Sequence, residues 1–281
     1  MYDAAIIGTG PAGLSAALCL KLHEKNLIWF GSPAMSAKVE KSEKIANYPG
    51  AGLVSGEELN ARFRAHAEAM GLTPVDQMVT SIMPTRDYFT VLANNEIYEA
   101  KTLLLATGVV SGKGFPGEQE YLGRGVSYCA TCDGFLYKGK RIAVFCGGKR
   151  FEHEVRYLAE IAEKVYLFAG YPDCAVDAPN VEIIPAIREV RGGLKLTSLA
   201  LADGREIEVS ALFCLRGAVA PATLLPGLEM DGAHIVVNRR QETSVPGCYA
   251  AGDCTGRPYQ LTKAVGEGNV AAHEMLERME S

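Results

Sequence analysis

Ala4-Ala5-Ile6-Ile7-Gly8-Thr9-Gly10-Pro11-Ala12-Gly13-Leu14 stands near the head of the chain. The four apolar residues read as a buried parallel strand. Three glycines follow at G-x-G-x-x-G spacing, and Leu14, Ala17, Leu18 and Leu22 then recur with a helical period. Leu27-Ile28-Trp29-Phe30 supplies a second strand and closes a βαβ unit of about thirty residues. Such a glycine motif is a weak signal alone and a strong one between a strand and a helix. The first glycine permits the tight turn, the second lets a pyrophosphate approach the backbone, and the third lets helix and strand pack. The helix N-terminus offers unpaired N–H groups to phosphates. An acidic residue usually ends the second strand of this motif. Here Gly31-Ser32 follows Phe30, which leaves Ser32 as the candidate to hold a ribose.

Composition narrows the classes. With 48% hydrophobic and 22% charged residues the chain is not disordered. Its 281 residues, at roughly 150 per domain, suggest two domains. A net charge of −5 and a pI near 5.7 argue against nucleic acid as a partner. No apolar run approaches the ~18 residues of a membrane span, and no basic n-region precedes the first apolar run, so a cytosolic location is expected. Eight cysteines in such a chain are not the disulfide framework of a small secreted domain. Cys19, Cys146, Cys174, Cys214, Cys248 and Cys254 occur singly, mostly in apolar stretches, and are expected to be inert core residues.

Further along, residues 38–44 read as a charged loop that ends at Asn47-Tyr48-Pro49-Gly50. Leu59, Phe63, Ala67 and Met70 mark an amphipathic helix stopped by Gly71. Leu103-Leu104-Leu105-Ala106-Thr107-Gly108 reads as a buried strand running into a glycine turn. Ser111-Gly112-Lys113-Gly114 marks a linker. A second βαβ unit follows in Arg141–Phe145, Phe151–Glu163 and Val165–Phe168, then a hairpin at Asp203-Gly204 and a second junction near Pro226–Gly232. The expected fold is α/β, with two Rossmann-like dinucleotide-binding-type domains. Residues 113–232 form one, inserted into the other, which comprises 1–112 and 233–281.

Cys129-Ala130-Thr131-Cys132 stands before Asp133-Gly134. A zinc site needs a second half-site. His23, His66, His153, His234 and His273 form no pair at zinc-ligand spacing, so no metal is expected. The redox-dithiol reading leads, since the two thiols can close a short ring and a lowered pKa makes one a nucleophile.

The segment Gly125-Val126-Ser127-Tyr128-Cys129-Ala130-Thr131-Cys132-Asp133-Gly134 resembles the active-site segment of the low-molecular-weight thioredoxin reductases. The similarity runs over nearly the whole chain. It includes the Gly8–Gly13 loop, Asn47-Tyr48-Pro49-Gly50, Ala106-Thr107-Gly108, Thr243-Ser244-Val245-Pro246-Gly247, Ala250-Ala251-Gly252-Asp253, Gln260 and Gly266-Glu267-Gly268. The resemblance implies an FAD-binding domain made of both chain ends, with the dithiol domain inserted. Gly8, Gly10 and Gly13, with Pro11 and Ala12 between them, are then expected to cradle the FAD pyrophosphate. Asp253, beside Gly252, would hydrogen-bond the ribityl chain, and Ala106, Thr107 and Gly108 would line the cofactor. Asn47 and Gln260, with Leu261, would lie near the flavin ring. Cys132 would face the flavin, Cys129 would attack the disulfide of thioredoxin, and Asp133 would protonate the departing thiolate. A homodimer is implied by the same family likeness.

Two departures fall together at the NADPH site. The family opens its inserted βαβ unit with G-x-G-x-x-A, where this chain has Cys146-Gly147-Gly148-Lys149-Arg150-Phe151. After the next strand the family places arginines that hold the 2′-phosphate, where this chain has Phe168-Ala169-Gly170-Tyr171-Pro172-Asp173. The chain is thus most similar to the ferredoxin-dependent flavin thioredoxin reductases. Lys38, Lys41, Lys44, Lys149 and Arg150 are candidate docking cations for an acidic ferredoxin, or a solvated face. An NADPH-dependent enzyme with an altered nucleotide site, and a flavin-bearing redox sensor without turnover, are the alternative readings.

Overall fold

In the computed structural model all residues are described except Asn95, 110–113, Gln119, Cys129, 217–218 and Ser281, and Cys132 is described by its backbone only. The expected linker at Ser111–Lys113 and the expected nucleophile Cys129 therefore lie outside the described residues. Elements run in chain order as β1 (Tyr2–Ile7), α1 (Pro11–Leu22), β2 (Leu27–Phe30), α2 (Ala37–Glu40), α3 (Gly56–Ala69), β3 (Val79–Pro84), β4 (Phe89–Ala93) and β5 (Glu96–Leu105). Strands β2, β1 and β5 pair in parallel, as their uninterrupted apolar sequences require. Ala4, Ala5, Ile6, Leu103, Leu104 and Leu105 are fully buried. Gly71 ends α3 with φ +67°, a left-handed cap open to glycine.

The next elements are β6 (Val126–Ser127), α4 (Ala130–Asp133), β7 (Arg141–Cys146), α5 (Glu152–Ile161), β8 (Lys164–Ala169), β9 (Val181–Ile183), β10 (Ile187–Gly192), β11 (Leu196–Leu201), β12 (Glu206–Glu208) and β13 (Ala211–Leu215). They form a parallel sheet ordered β6-β13-β7-β8-β9 and an antiparallel sheet β10-β11-β12. The helix expected from Phe151 starts one residue later, because Lys149–Phe151 form a 3-10 turn. Then come α6 (Pro221–Leu224), β14 (Met230–Asp231), β15 (His234–Ile235), β16 (Cys248–Ala250) and α7 (Leu261–Glu280). Among the described residues no helix is long and apolar enough to cross a membrane.

The chain gathers into two compact units, 1–110 with 220–281, and 111–219. The second crossing lies at 219/220 and not at 232/233. Pro226-Gly227 reads as a junction in sequence, but Ser244 Oγ donates to the Gly227 carbonyl at 2.9 Å and accepts from Glu229 N–H at 2.8 Å. With α6 packed on β3, those ties hold residues 220–232 in the first unit. β5 receives both chain ends. Its first half pairs antiparallel with β4, and Leu103–Leu105 pair in parallel with Cys248–Ala250 of β16.

Helix α7 lies directly on α1. A Cβ at Gly268 would stand 2.1 Å from the Ala12 carbonyl oxygen, whereas one at Gly266 meets nothing within 4 Å. Gly268→Ala should therefore lower the unfolding free energy by about 1–3 kcal/mol. Gly266→Ala should leave it unchanged or raise it by up to about 1 kcal/mol. Urea unfolding of the two variants checks the difference, and equal effects would contradict the packing described.

Candidate functional site

The Gly8–Gly13 loop separates what the fold needs from what it leaves open. Gly8 has φ +119°, and a Cβ there would lie 2.2 Å from the Ala106 carbonyl oxygen. A Cβ at Gly13 would lie 2.0 Å from the Gly8 carbonyl oxygen. Both positions exclude any side chain. Gly10 is different: its φ is −70°, and a Cβ there would meet nothing within 4 Å. Neither backbone conformation nor packing within the protein asks for glycine at position 10. A space kept free beside a helix N-terminus is what a phosphate group needs. Gly10 caps α1 without a side-chain hydrogen bond, Pro11 has no N–H, and the first intrahelical bond is Leu14 N–H to the Gly10 carbonyl. The amides of Ala12 and Gly13 are thus left for an anion. The loop fits the pyrophosphate of FAD.

The remaining expected cofactor residues converge on the same unit. Asp253 is held by its neighbours: Gly252 N–H donates to Glu267 Oε2 at 2.8 Å, and Lys263 Nζ donates to Gly252 O, Thr255 Oγ1 and Glu267 Oε2. Asn47 Nδ2 donates to Gln260 Oε1 at 2.8 Å, joining two residues far apart in sequence. Leu261 opens α7 and packs on the small core of Val39, Ile45, Val54 and Leu59. Ala106 is buried and Gly108 adopts φ +66°. Thr107 Oγ1 is buried beside the Cys254 thiol with no hydrogen-bond partner among the described residues, so an acceptor or donor from a ligand would satisfy it. Ser32 accepts from Ala34 N–H at 3.2 Å, an ordinary turn bond.

One expectation is corrected here. Residues 38–44 are not simply a charged loop, for Ser36 caps the turn α2, and Lys38 Nζ pairs with Asp253 Oδ2 at 2.5 Å and lies 4.8 Å from the Tyr259 ring centre. Lys41, Lys44 and Lys149 are exposed, and the Arg150 guanidinium stacks on Phe151 at 4.6 Å.

In the second unit, Asp133 ends α4, and Ser127 Oγ at the end of β6 donates to its Oδ2 at 2.6 Å. Sequence reading missed the group beneath it. Glu118, 1% exposed, accepts from Tyr128 OH at 2.8 Å, Phe115 N–H at 2.8 Å and Arg216 at 3.0 Å. Burial and the Glu118 charge raise the Tyr128 hydroxyl pKa, so Tyr128 stays a hydrogen-bond donor. A buried carboxylate with three donors locks Tyr128, the residue before Cys129. The glutamate directly after Pro116-Gly117 was the available signal.

The second βαβ unit is filled by its own side chains. Glu152 lies in the first turn of α5, buried, and its carboxylate accepts from Tyr171 OH at 2.7 Å, Ala175 N–H at 3.0 Å and Arg156 at 3.0 Å. The Ala175 N–H and Tyr171 hydroxyl hold its pKa below the usual carboxylate range, so it is anionic at neutral pH. With its one proton in the hydrogen bond to Glu152, the Tyr171 oxygen can accept from the thiols beside it, Cys174 Sγ at 3.3 Å and Cys146 Sγ at 3.8 Å. Phe151, Tyr171 and Cys174 pack on the core around Val144, Val155 and Leu167.

Residues 2–174 and 175–268 match the pyridine nucleotide-disulphide oxidoreductase family. The chain is 32% identical to the thioredoxin reductase of Treponema pallidum over 97% of its length and 95% of that protein. It is 34% identical to that of Helicobacter pylori, over 100% and 99%. Among solved structures it is similar to a ferredoxin-flavin thioredoxin reductase of Clostridium acetobutylicum, with 41% identity, 99% and 97% coverage and a TM-score of 0.93. It also matches a thioredoxin reductase of Gloeobacter violaceus, with 29% identity, 99% and 94% coverage and a TM-score of 0.81.

Burial separates the thiols by reactivity. It pushes Cys254 up to about 11 and Cys248 up to about 12. At pH 8 their thiolate fractions are therefore on the order of one in a thousand or less. Iodoacetamide at pH 8 should leave both unmodified in the native protein and label both after unfolding. Peptide mass spectrometry reads the outcome, and native labelling of either would contradict its burial.

Proposed function

Because the chain belongs to the pyridine nucleotide-disulphide oxidoreductase family, and within it to the thioredoxin reductases, we propose that it reduces the disulfide of thioredoxin with electrons from reduced ferredoxin and not from NADPH. Members of this family are FAD-binding flavoproteins, and the loop at Gly10 fits that group. When bound, the flavin supplies a store that takes electrons one at a time and gives them up as a pair.

The observation that carries the donor assignment is the Glu152–Tyr171 pair. A dinucleotide at the second βαβ unit would bring its pyrophosphate to the N-terminus of α5. There the Glu152 carboxylate already occupies the first turn, and like charges repel. The segment 169–175, which would have to supply a cation for a 2′-phosphate, has none. Each charge-assisted contact so lost is worth roughly 1.5–3 kcal/mol. NADH escapes that second loss but not the first. Similarity to the ferredoxin-flavin enzyme of C. acetobutylicum supports the same donor. Lys41, Lys44 and Lys149 are among the exposed cations that an acidic protein can meet.

On this reading the Cys129 thiolate attacks the thioredoxin disulfide, one sulfur leaves as thiolate, and a mixed disulfide links the proteins. Asp133, hydrogen-bonded to Ser127, gives a proton to the leaving thiolate. Cys132 then attacks Cys129, which frees thioredoxin as a dithiol and leaves the Cys129–Cys132 disulfide to be reopened by two electrons. A cytosolic homodimer belongs to the same reading.

The test is anaerobic. Reduced ferredoxin should bleach the flavin and support repeated thioredoxin reduction, while millimolar NADPH or NADH should do neither at useful rates. Cys129→Ser should stop thioredoxin reduction and leave flavin bleaching by ferredoxin intact. Fast bleaching by a nicotinamide would return the chain to the ordinary NADPH enzymes, and bleaching without turnover would favour a sensor.

The cofactor loop has its own test. Gly10→Val should abolish FAD binding and shift the unfolding free energy of the flavin-free chain by no more than about 0.5 kcal/mol. FAD content is read from the absorbance of the purified variant and stability from urea unfolding. A yellow Gly10→Val protein would place the pyrophosphate elsewhere.

A further inference from the structure

Cys19, His23 and His273 are scattered in sequence and meet in the fold. Cys19 and His23 stand four residues apart at the C-terminal end of α1, so they share one face, and the His23 N–H closes on the Cys19 carbonyl at 3.2 Å. His273 reaches them from α7. The Cys19 Sγ and one ring nitrogen of each histidine all lie within 4.8 Å of one another. Among the described residues this is the one group of three Cys, His, Asp or Glu side chains so placed. The two rings meet edge to face, with centroids 5.9 Å apart.

The scaffold beneath them is stiff. Gly268 lies against the Ala12 carbonyl, and Ser15 Oγ donates to the Val265 carbonyl at 2.8 Å, so α1 and α7 cannot drift apart at this point. Both imidazoles are exposed and can turn, while the thiol is buried at 8% exposure. Metal–sulfur and metal–nitrogen bonds near 2.3 and 2.0 Å require tetrahedral edges of about 3.5 Å, so ring rotations of about 1 Å close the set.

We propose that Cys19, His23 and His273 bind a zinc-type divalent ion that joins α1 to α7. One thiolate and two imidazoles select a borderline-soft ion and offer nothing to magnesium or calcium, which take oxygen ligands. On binding, the Cys19 thiol loses its proton to solvent as the metal–sulfur bond forms, and each neutral imidazole gives a lone pair. Three protein ligands leave a fourth tetrahedral position. A cavity of about 400 Å³, lined by all three residues and by Ser15, His66 and Asn269, has room for water there.

The test uses the full-length FAD-loaded protein carrying Cys129→Ser and Cys132→Ser, which removes a dithiol that would itself take soft metals. Titration with Co²⁺ should give one equivalent of tetrahedral, thiolate-bound cobalt, seen as d–d bands at wavelengths beyond the flavin absorbance. Adding Cys19→Ser should abolish those bands. His23→Gln or His273→Gln should weaken Zn²⁺ binding about tenfold or more in competition with a chelating dye. Zn²⁺ should also raise the thermal midpoint of the parent and not of the Cys19→Ser variant. No tetrahedral cobalt spectrum, or one that survives Cys19→Ser, overturns the site. Should Cys19→Ser not fold, His273→Gln decides, because its ring is exposed, and unchanged cobalt bands and zinc affinity there overturn the proposal.

Discussion

Backbone lying on backbone, with no side chain between, is the constraint on which the first unit depends. Gly8 rests on the Ala106 carbonyl, Gly13 on the Gly8 carbonyl and Gly268 on the Ala12 carbonyl. These approaches stack β5, β1, α1 and α7 so closely that only glycine fits at the contacts. They bring the two ends of the chain together, and that juxtaposition sets Asp253, Gln260 and Leu261 in the same unit as the Gly8–Gly13 loop. The α1–α7 contact that carries the last of them also holds Cys19 and His23 beside His273.

The second βαβ unit repeats the topology without that constraint. Cys146 ends its first strand and Phe151 precedes its helix, and a Cβ at Gly148, which stands where Gly10 stands in the first motif, would likewise meet nothing within 4 Å. The loop after β8 folds back so that Tyr171 and Ala175 satisfy the buried Glu152 carboxylate. A buried anion that has found three donors within its own unit is stable where it is, and a second anion gains nothing by approaching it. The first turn of α1 carries no acidic side chain, whereas the first turn of α5 carries the Glu152 carboxylate, held there by a phenol and a backbone amide.

A similar economy surrounds the dithiol segment. Glu118, Tyr128 and Arg216 form a buried cluster in which the carboxylate has three donors while Arg216 Nε has no hydrogen-bond partner among the described residues, and the guanidinium lies over the Phe115 and Phe145 rings at 5.4 and 5.1 Å. Removing one member would leave another's polar atoms buried and unpaired, which costs more than the bond itself contributes. The cluster immobilises the chain just before Cys129, and Ser127 orients Asp133 just after Cys132.

What the sequence by itself determined is local. The apolar runs and glycine spacing specify both βαβ units, and the cap at Gly71 and the hairpin at Asp203-Gly204 follow from turn chemistry; each is encoded within about ten residues. The tertiary structure alone decided whatever joins distant residues. Lys38 reaches Asp253 across 215 positions and Asn47 reaches Gln260 across 213, so a stretch that reads as a solvated charge run has one member bound. Pro226-Gly227 looks like a junction until the Ser244 hydroxyl ties it back. Cys19 and His23 share a helix face at a spacing of four, but His273 joins them only once α7 lies on α1. Local sterics and periodicity are written along the chain, but a pairing between distant side chains depends on the path of the backbone between them, and no motif records that path.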